Sequence, residues 1–350
     1  MRFGFTFFLV SALAATLYIP AFAASAGDDP KVIYGTDDRL DVFEVTDPAI
    51  LAAVDATCLI AGASELTDNG DGTFMLTTSP YIDPGSGLPP CESEPFADQP
   101  NAGFCTGWLA DDDIIVTAGH CLVGPVTSLR FIFGFEMIDA DTPNTVFDEE
   151  QIYSGAEVVS RSPGGTDQDH MVVRIDRAVT APGATPLSFR TEGGIVLDTP
   201  IGVIGHPFAL PTKVAFGAQT TVQDISDASF FLSNLDTYRG NSGSPVGRIV
   251  STAKGGSEFF VEGVLVEGAT DADIVGDCFV SNELSNTQAF EKSTRTTVFA
   301  DAIISPLPPS CLALGPGTRS VSWPLGDGLL FSLAVALCVA VKRRGRASVR

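Results

Sequence analysis

The feature that most constrains the fold of this 350-residue chain is a series of short Val/Ile/Phe-rich runs that recur about every ten residues. Runs such as DIIVTAG, LRFIFGFEM and MVVRID are separated by Gly, Pro, Asn and Asp, the residues that favour turns. No long amphipathic helical pattern competes with them. The spacing predicts an all-β protein, with two barrel-sized sets of strands on either side of residues 160–190.

Both ends of the chain resemble targeting segments. Residues 1–26 combine a basic residue, an apolar stretch and small residues, the layout of a secretory signal peptide; a buried helix is the alternative. Near the C-terminus, an apolar run from Leu329 to Val341 precedes a cluster of lysine and arginine residues. This run falls short of the roughly 20 residues that span a bilayer, although a count from Trp323 comes close. We expect an anchoring or sorting tail, with a buried C-terminal strand as the alternative.

The chain between these ends is strongly acidic. Residues 27–310 contain 13 basic and 42 acidic residues, a net charge of −29. Such a surface repels nucleic acid and anionic membranes and favours solubility, whether in salty surroundings or simply outside a cell. Of seven cysteines, six precede the apolar tail. An even number predicts disulfides in an exported chain but leaves fifteen connectivities open, and no Cys-x-x-Cys pair suggests zinc.

Local signals place turns and loops between the predicted strands. The sequence TDNGDG at residues 67–72 predicts a hairpin, because its Asn-Gly and Asp-Gly pairs suit the positive φ angles of tight turns. Its acidic residues are too closely spaced for an EF-hand calcium loop. Residues 50–60 form an apolar run that suits a helix or a strand, and residues 80–103 form a Pro/Gly-rich loop.

Three blocks contain the residues that could do chemistry. Ser242 stands in RGNSGSP, and a serine hydroxyl is a poor nucleophile unless a base removes its proton. His120, a possible base, ends an apolar run in DDDIIVTAGHC. Asp169 begins the strand-like run DHMVVRID, and a carboxylate at a strand end is well placed to orient a histidine.

These blocks resemble the catalytic segments of the chymotrypsin-fold serine proteases, and most closely the bacterial branch that includes the staphylococcal glutamyl endopeptidase. The order His, Asp, Ser differs from that of subtilisins and of α/β-hydrolases. The resemblance covers roughly residues 32–305. It implies two antiparallel six-stranded Greek-key β-barrels with the active site in the cleft between them. In the first block, Cys121 can form a disulfide with Cys105.

The resemblance also implies a role for each residue of the three blocks. Ser242 would be the nucleophile, His120 the general base and Asp169 the group that orients the base. The backbone N–H groups of Gly240 and Ser242 would stabilise the oxyanion, since Gly240 permits a backbone conformation that a side chain would forbid. An adjacent glycine, Gly243, leaves room for substrate.

Other histidines and aspartates fit these roles less well. His206 lies in the turn IGHPF and is expected to be structural, and His170 alternates away from the face that Asp169 presents. Asp167 and Asp176 are rivals for orienting the base. Asp167 lacks the strand position, whereas Asp176 lies at the far end of the strand.

The chain departs from the family pattern at positions that control activation and specificity. Asn241 replaces the aspartate that trypsin-type enzymes pair with a new N-terminal ammonium, so that route of activation is not implied. Leu265 in GVLVEG stands in the substrate-site wall where glutamyl endopeptidases have a histidine, so glutamate specificity is not implied. Asp236 lies six residues before Ser242, where trypsin-like enzymes keep a specificity carboxylate. It predicts cleavage after arginine or lysine, unless it caps the loop instead.

These observations divide the chain into four parts. Residues 1–26 form the signal peptide, and residues 27–57 an N-terminal segment that is in part a pro-segment. The protease domain occupies residues 58–305, and a linker and apolar tail occupy residues 306–350. The sequence from Val32 resembles the mature start of the staphylococcal enzyme, which predicts cleavage after Lys31; simple signal removal is the alternative.

The predicted function is that of a secreted or surface-tethered serine endopeptidase. It would act as a monomer on protein or peptide substrates, with no cofactor or metal and no nucleic-acid partner, and would touch the membrane through its tail. Two alternatives share the fold: a catalytically silent extracellular binding module and an esterase. An intact triad argues against the first, and a comparison of peptide and ester substrates separates the second.

Overall fold

The computed structural model of the protein describes residues 32–83, 85–164 and 168–304. The predictions for the signal peptide, the C-terminal tail and Asp167 concern residues outside this part of the chain. No helix within these three ranges is long and apolar enough to cross a membrane. The described residues form mainly short strands, as the turn-rich sequence predicts.

Two short helices accompany the strands, α1 (Pro48–Asp55) and α2 (Ala300–Ile304). The strands of the first part of the chain are β1 (Ile33–Tyr34), β2 (Arg39–Asp41), β3 (Thr57–Gly62), β4 (Leu66–Asp68), β5 (Thr73–Leu76), β6 (Ser79–Pro80), β7 (Pro100–Asn101), β8 (Cys105–Asp111), β9 (Ile114–Thr117), β10 (Leu129–Phe133), β11 (Val146–Asp148) and β12 (Ile152–Pro163). Those of the second part are β13 (Asp169–Ile175), β14 (Ser188–Phe189), β15 (Gly202–Gly205), β16 (Lys213–Ala215), β17 (Val222–Asp224), β18 (Phe230–Ser233), β19 (Pro245–Ser251), β20 (Ser257–Glu267), β21 (Ala272–Val275), β22 (Cys278–Ser281), β23 (Glu283–Leu284) and β24 (Glu291–Arg295).

Six strands of the first half close into a barrel in the order β10, β12, β13, β9, β8, β3. The last neighbour, β3, pairs again with β10, so this ring has no free edge. If these six strands are numbered one to six in chain order and the ring is followed from β3, the neighbours are strands one, two, three, six, five and four. This is a Greek-key order. The prediction of an all-β fold with a six-stranded barrel is confirmed here.

The second half differs from the prediction because its strands form an open nine-stranded sheet. Six neighbouring strands in the middle of this sheet follow the same Greek-key order as the barrel: β18, β24, β20, β19, β15 and β16. The ring is open between the second and third of these strands in chain order, which are β16 and β18. The two strands at the opening pair with other segments instead of with each other: β16 with β2, and β18 with β17. Covering exposed strand edges in this way is an alternative to closing the ring.

An apolar core joins the two halves. Trp108 and Phe131 of the barrel belong to the same buried cluster as Val261 and Val264 of β20. Trp108 is fully buried and packs edge-to-face against Phe189, with 5.9 Å between ring centroids. Replacing a core tryptophan with alanine typically costs about 3–5 kcal/mol, so this contact is a main support of the joint between the halves.

The N-terminal segment of the described chain packs onto both halves. Its strand β1 pairs with β23, β2 extends the open sheet, and α1 leads into the barrel strand β3. Asp47 caps α1 by accepting hydrogen bonds from the N–H groups of Ala49 and Ile50, and Pro48 fixes the first helical position. The ambiguous apolar run at residues 50–60 is thus both a helix end and a strand.

Two disulfides lie among the described residues. One joins Cys105 to Cys121, and the other joins Cys91 to Cys278 across 187 residues. Cys58 is buried and is not in a disulfide. The Cys91–Cys278 bond fixes the loop at residues 80–103 to the hairpin of β21 and β22.

Candidate active site

His120 and Asp169 meet because their strands are paired. His120 follows β9, Asp169 begins β13, and the register of these strands places Thr117 opposite Met171. The Nδ1 atom of His120 lies 2.7 Å from the Oδ2 atom of Asp169. A histidine that donates from Nδ1 to a carboxylate presents Nε2 as its basic nitrogen.

Backbone groups hold the Asp169 carboxylate in place. Its Oδ1 atom accepts hydrogen bonds from the N–H groups of Gly119 and His120, at 2.5 and 3.3 Å. The side chain is nearly buried, and the N–H of Asp169 itself donates to the hydroxyl of Thr294. The carboxylate therefore has one fixed position from which to orient the imidazole.

The loop that carries Ser242 is held by short-range and cross-sheet hydrogen bonds. The N–H of Asn241 donates to the carbonyl of Tyr238, and the N–H of Gly243 donates to the carbonyl of Leu265. Gly240 and Gly243 have φ angles of 95° and 91°, a region that favours glycine. A Cβ atom on Gly240 would lie 2.3 Å from the carbonyl oxygen of His206, so the position also lacks space for a side chain.

The carbonyl group of Arg239 fixes the orientation of the peptide bond between Arg239 and Gly240. The carbonyl oxygen of Arg239 accepts a hydrogen bond from the N–H of Phe208. The N–H and C=O of a trans peptide point in opposite directions, so the Gly240 N–H faces away from the Phe208 backbone. Phe208 and the next residue, Ala209, have positive φ angles of 51° and 58°, and such strained backbone often supports a functional site.

His120 and Ser242 line one cleft of about 430 Å³. The Cys105–Cys121 disulfide lies beside them in its wall. The lining is mostly apolar and consists of Ile82, Asn101, Gly103, Phe104, Cys105, His120, Cys121, Val123, Phe208, Ala209, Arg239, Gly240 and Ser242. The three residues of the predicted triad are thus brought to one place, with the histidine bonded to the aspartate.

Asp236 and Leu265, the two predicted specificity residues, do not line this cleft. The carboxylate of Asp236 is buried and accepts hydrogen bonds from the N–H groups of Tyr34 and Asp38, at 2.7 and 2.8 Å. It therefore fixes the N-terminal segment, which differs both from the predicted specificity carboxylate and from the alternative of a cap on the loop ahead of Ser242. Leu265 is fully buried, and its backbone holds the loop around Ser244 and Gly243.

The remaining histidines have structural surroundings. His206 is fully buried, its Nδ1 atom lies 3.0 Å from the carbonyl oxygen of Leu210, and burial lowers its pKa to about 3. His170 stacks on Phe299, and burial lowers its pKa as well. Asp176 lies beyond the far end of β13 and accepts a hydrogen bond from the N–H of Ser154.

Thr106 is a site residue that the sequence reasoning missed. It is fully buried; its N–H donates to the carbonyl of Ser242, and its hydroxyl donates to the carbonyl of Gly240. The same hydroxyl accepts a hydrogen bond from the N–H of His206. The sequence signal that could have pointed to Thr106 is its position next to Cys105, in the block that contains the histidine.

The chain was compared with protein families, curated proteins and solved structures. Residues 105–248 match the model of the trypsin-like peptidase domain. A solved structure described as Glu endopeptidase in complex with MPD is similar at 17% sequence identity, with a TM-score of 0.44, and the match covers 78% of this chain and 97% of that one. No curated protein matches the chain. The matched stretch contains the histidine, the aspartate and the serine described above, and it supports the resemblance of the chain to the trypsin-like serine proteases.

Proposed function

We propose that the protein is a serine endopeptidase that cleaves peptide bonds through an acyl-enzyme intermediate. Ser242 is the nucleophile, His120 the general base and Asp169 the residue that orients it. The observation that carries the proposal is the 2.7 Å contact between His120 Nδ1 and Asp169 Oδ2, in the wall of the cleft that contains Ser242. A binding module has no need for a histidine fixed in this way.

Each group then has a defined task in the reaction. Asp169 holds the imidazole with Nδ1 protonated, so that Nε2 removes the proton of Ser242 as its oxygen attacks the substrate carbonyl. The N–H groups of Gly240 and Ser242 stabilise the resulting oxyanion, and one such donor contributes roughly 3 kcal/mol. His120 next returns the proton to the leaving amine, and water releases the acyl group by the same route.

Labelling with a fluorophosphonate tests the nucleophile directly. Peptide mapping should locate the adduct on Ser242, and the exposed Ser226 provides a matched serine that should stay unmodified. Ser242→Ala and His120→Ala should each lower kcat for peptides by roughly 10⁵- to 10⁶-fold, because the two groups act as a unit. Substantial peptide hydrolysis by either folded variant would rule out these roles.

We do not extend the proposal to cleavage after arginine or lysine, because the Asp236 carboxylate already accepts two backbone N–H groups. The proposal does include where the enzyme acts, outside the cell or on its surface. The leader-like residues 1–26, the apolar run before the C-terminal basic cluster and the acidic charge of the intervening chain support a secreted or surface-tethered enzyme. Two disulfides suit an oxidising compartment.

A further inference from the structure

The cleft beside Ser242 is the place where the amine side of a substrate must lie. In the proposed reaction, His120 passes its proton to the departing amine, so that half of the substrate faces His120. The same cleft continues past the Cys105–Cys121 disulfide to Phe104 and Val123. Its walls therefore select the residues that follow the cleaved bond.

One side chain gives this apolar cleft a charge. Arg239 is the only lysine or arginine among the described residues that line it. Arg239 directly precedes Gly240, so its position is tied to the loop that binds the substrate carbonyl. Residues 27–310 as a whole are acidic, with a net charge of −29.

The neighbouring residues do not provide a hydrogen-bond acceptor for every N–H group of the Arg239 guanidinium. Its nearest carboxylate oxygen is Oδ1 of Asp83 at 3.6 Å from Nη1, longer than a hydrogen bond. The other oxygen of Asp83 accepts two hydrogen bonds from Ser86, one from its N–H and one from its hydroxyl, both 2.7 Å long. The buried Nε of Arg239 donates no hydrogen bond to any described residue.

A peptide carboxylate in the cleft would meet the exposed part of this guanidinium. Arginine pairs with carboxylates through two parallel charge-assisted hydrogen bonds, which are stronger than neutral ones. With about one third of its side chain exposed, Arg239 can reach a ligand that enters from solvent. A neutral glutamine of the same shape would gain no ion pair.

We propose that Arg239 makes the enzyme prefer peptides with a glutamate or aspartate within the first three residues after the cleaved bond. The inference rests on the proposed endopeptidase function and adds a substrate class to it. Arg239 acts as a specificity residue on the amine side, and Asp83 competes with the substrate for its guanidinium.

Internally quenched peptides that differ only by Glu or Gln at one position test the preference. For the wild type, kcat/KM should be roughly tenfold higher with Glu at one of the three positions, as expected for one charge-assisted contact. Added salt should reduce this ratio, because the pair is partly exposed. Arg239→Gln should bring the ratio close to one, Arg239→Lys should give an intermediate ratio, and Asp83→Asn should raise it.

Arg174→Gln is the matched control. Arg174 is also paired with an aspartate and is 30% exposed, but it does not line the cleft. This variant loses the same charge and should keep the wild-type ratio. Because each ratio compares two peptides with one enzyme, it is independent of the active fraction of each preparation, and the Lys and Asn variants decide the question if Arg239→Gln does not fold.

Three results would overturn the inference: a wild-type ratio near one at all three positions, a ratio that Arg239→Gln leaves unchanged, or an acid preference confined to the acyl side. All of these require peptide hydrolysis by the wild type. If the wild type hydrolyses no peptide and Ser242 takes up no fluorophosphonate, the proposed function itself fails, and the inference fails with it.

Discussion

Thr106 makes four hydrogen bonds, and two of them join the barrel to the Ser242 loop. Its N–H and hydroxyl donate to the carbonyls of Ser242 and Gly240, its hydroxyl accepts from the His206 N–H, and its carbonyl accepts from Thr117. All of its polar atoms are thus paired inside the protein. Thr106 thus holds the loop from the opposite half, in addition to the hydrogen bonds that Tyr238 and Leu265 make with it.

Thr106→Val should therefore damage both stability and catalysis. Valine has nearly the same shape but leaves the Gly240 carbonyl and the His206 N–H without their partner, at a cost of about 1–3 kcal/mol for each buried group. Urea unfolding should show this loss, and kcat should fall because Gly240 is no longer fixed. Thr106→Ser keeps the hydroxyl and should stay close to the wild type; equal behaviour of the two variants would contradict this role.

The Asp236 carboxyl group predicts a pH dependence of stability. Burial raises its pKa to about 7, from the value of 3.8 that applies when it is exposed. Between these values the folded protein keeps a proton that the unfolded chain has lost. The contribution of Asp236 to the free energy of unfolding is therefore fully present below about pH 4 and declines as the pH rises to about 7.

Asp236→Asn should remove this slope. The amide keeps one acceptor for Tyr34 or Asp38 but turns an NH₂ group toward the other N–H, so the variant should be less stable by about 1–3 kcal/mol. The difference in free energy of unfolding between wild type and variant, from urea titrations, should shrink from pH 4 to pH 7. A difference that does not vary with pH would show that the Asp236 pKa is not raised.

The loop at residues 80–103 and its disulfide form one wall of the cleft. Ile82 and Asn101 of this loop line the cleft, and Asp83 lies beside Arg239. The Cys91–Cys278 bond ties the loop to β22, and Tyr81 packs against Phe279 of the same strand, with 5.4 Å between ring centroids. The loop is long, but these contacts hold it as part of the site.

Replacing Cys91 and Cys278 together with alanine should loosen this wall and spare the triad. We expect the free energy of unfolding to fall by about 2–4 kcal/mol, as for other native disulfides. The KM for peptides should rise more than kcat falls, because His120 and Ser242 belong to other elements. Denaturant titration and steady-state kinetics check both parts, and a drop in kcat at constant KM would contradict the assignment of the loop to substrate binding.

Sequence and structure agree best where a feature depends on neighbouring residues. The hairpin at residues 67–72 could be predicted because β4 and β5 pair across the glycines that form their turn, with φ angles of 79° and 96°. The triad blocks could be predicted because each places its residue at a strand end or in a glycine-rich loop. The open sheet and the task of Asp236 could not, because both depend on a pairing with an N-terminal segment about 170 to 200 residues away.

At the scale of the whole molecule, the proposed triad and the described lining of the cleft lie within residues 32–304. Deleting residues 323–350 should therefore release active enzyme into the medium, since all of the described cleft residues precede that stretch. Activity in culture supernatant and in the cell fraction, measured for the full-length and the shortened chain, checks this. A shortened chain that fails to fold would place the apolar run in the core instead of in an anchor.

The contacts of the N-terminal segment also determine at which stage of protein synthesis the fold can be completed. The Tyr34 hydroxyl donates to Glu291, 257 residues further along, and the Tyr34 N–H donates to Asp236. Contacts so distant in sequence form late and slow the search for the native state. Because a ribosome adds residues from the N-terminus, Tyr34 must wait for β24 to emerge before its partner exists. The N-terminal segment therefore reaches its final contacts only after the last strand has been synthesised.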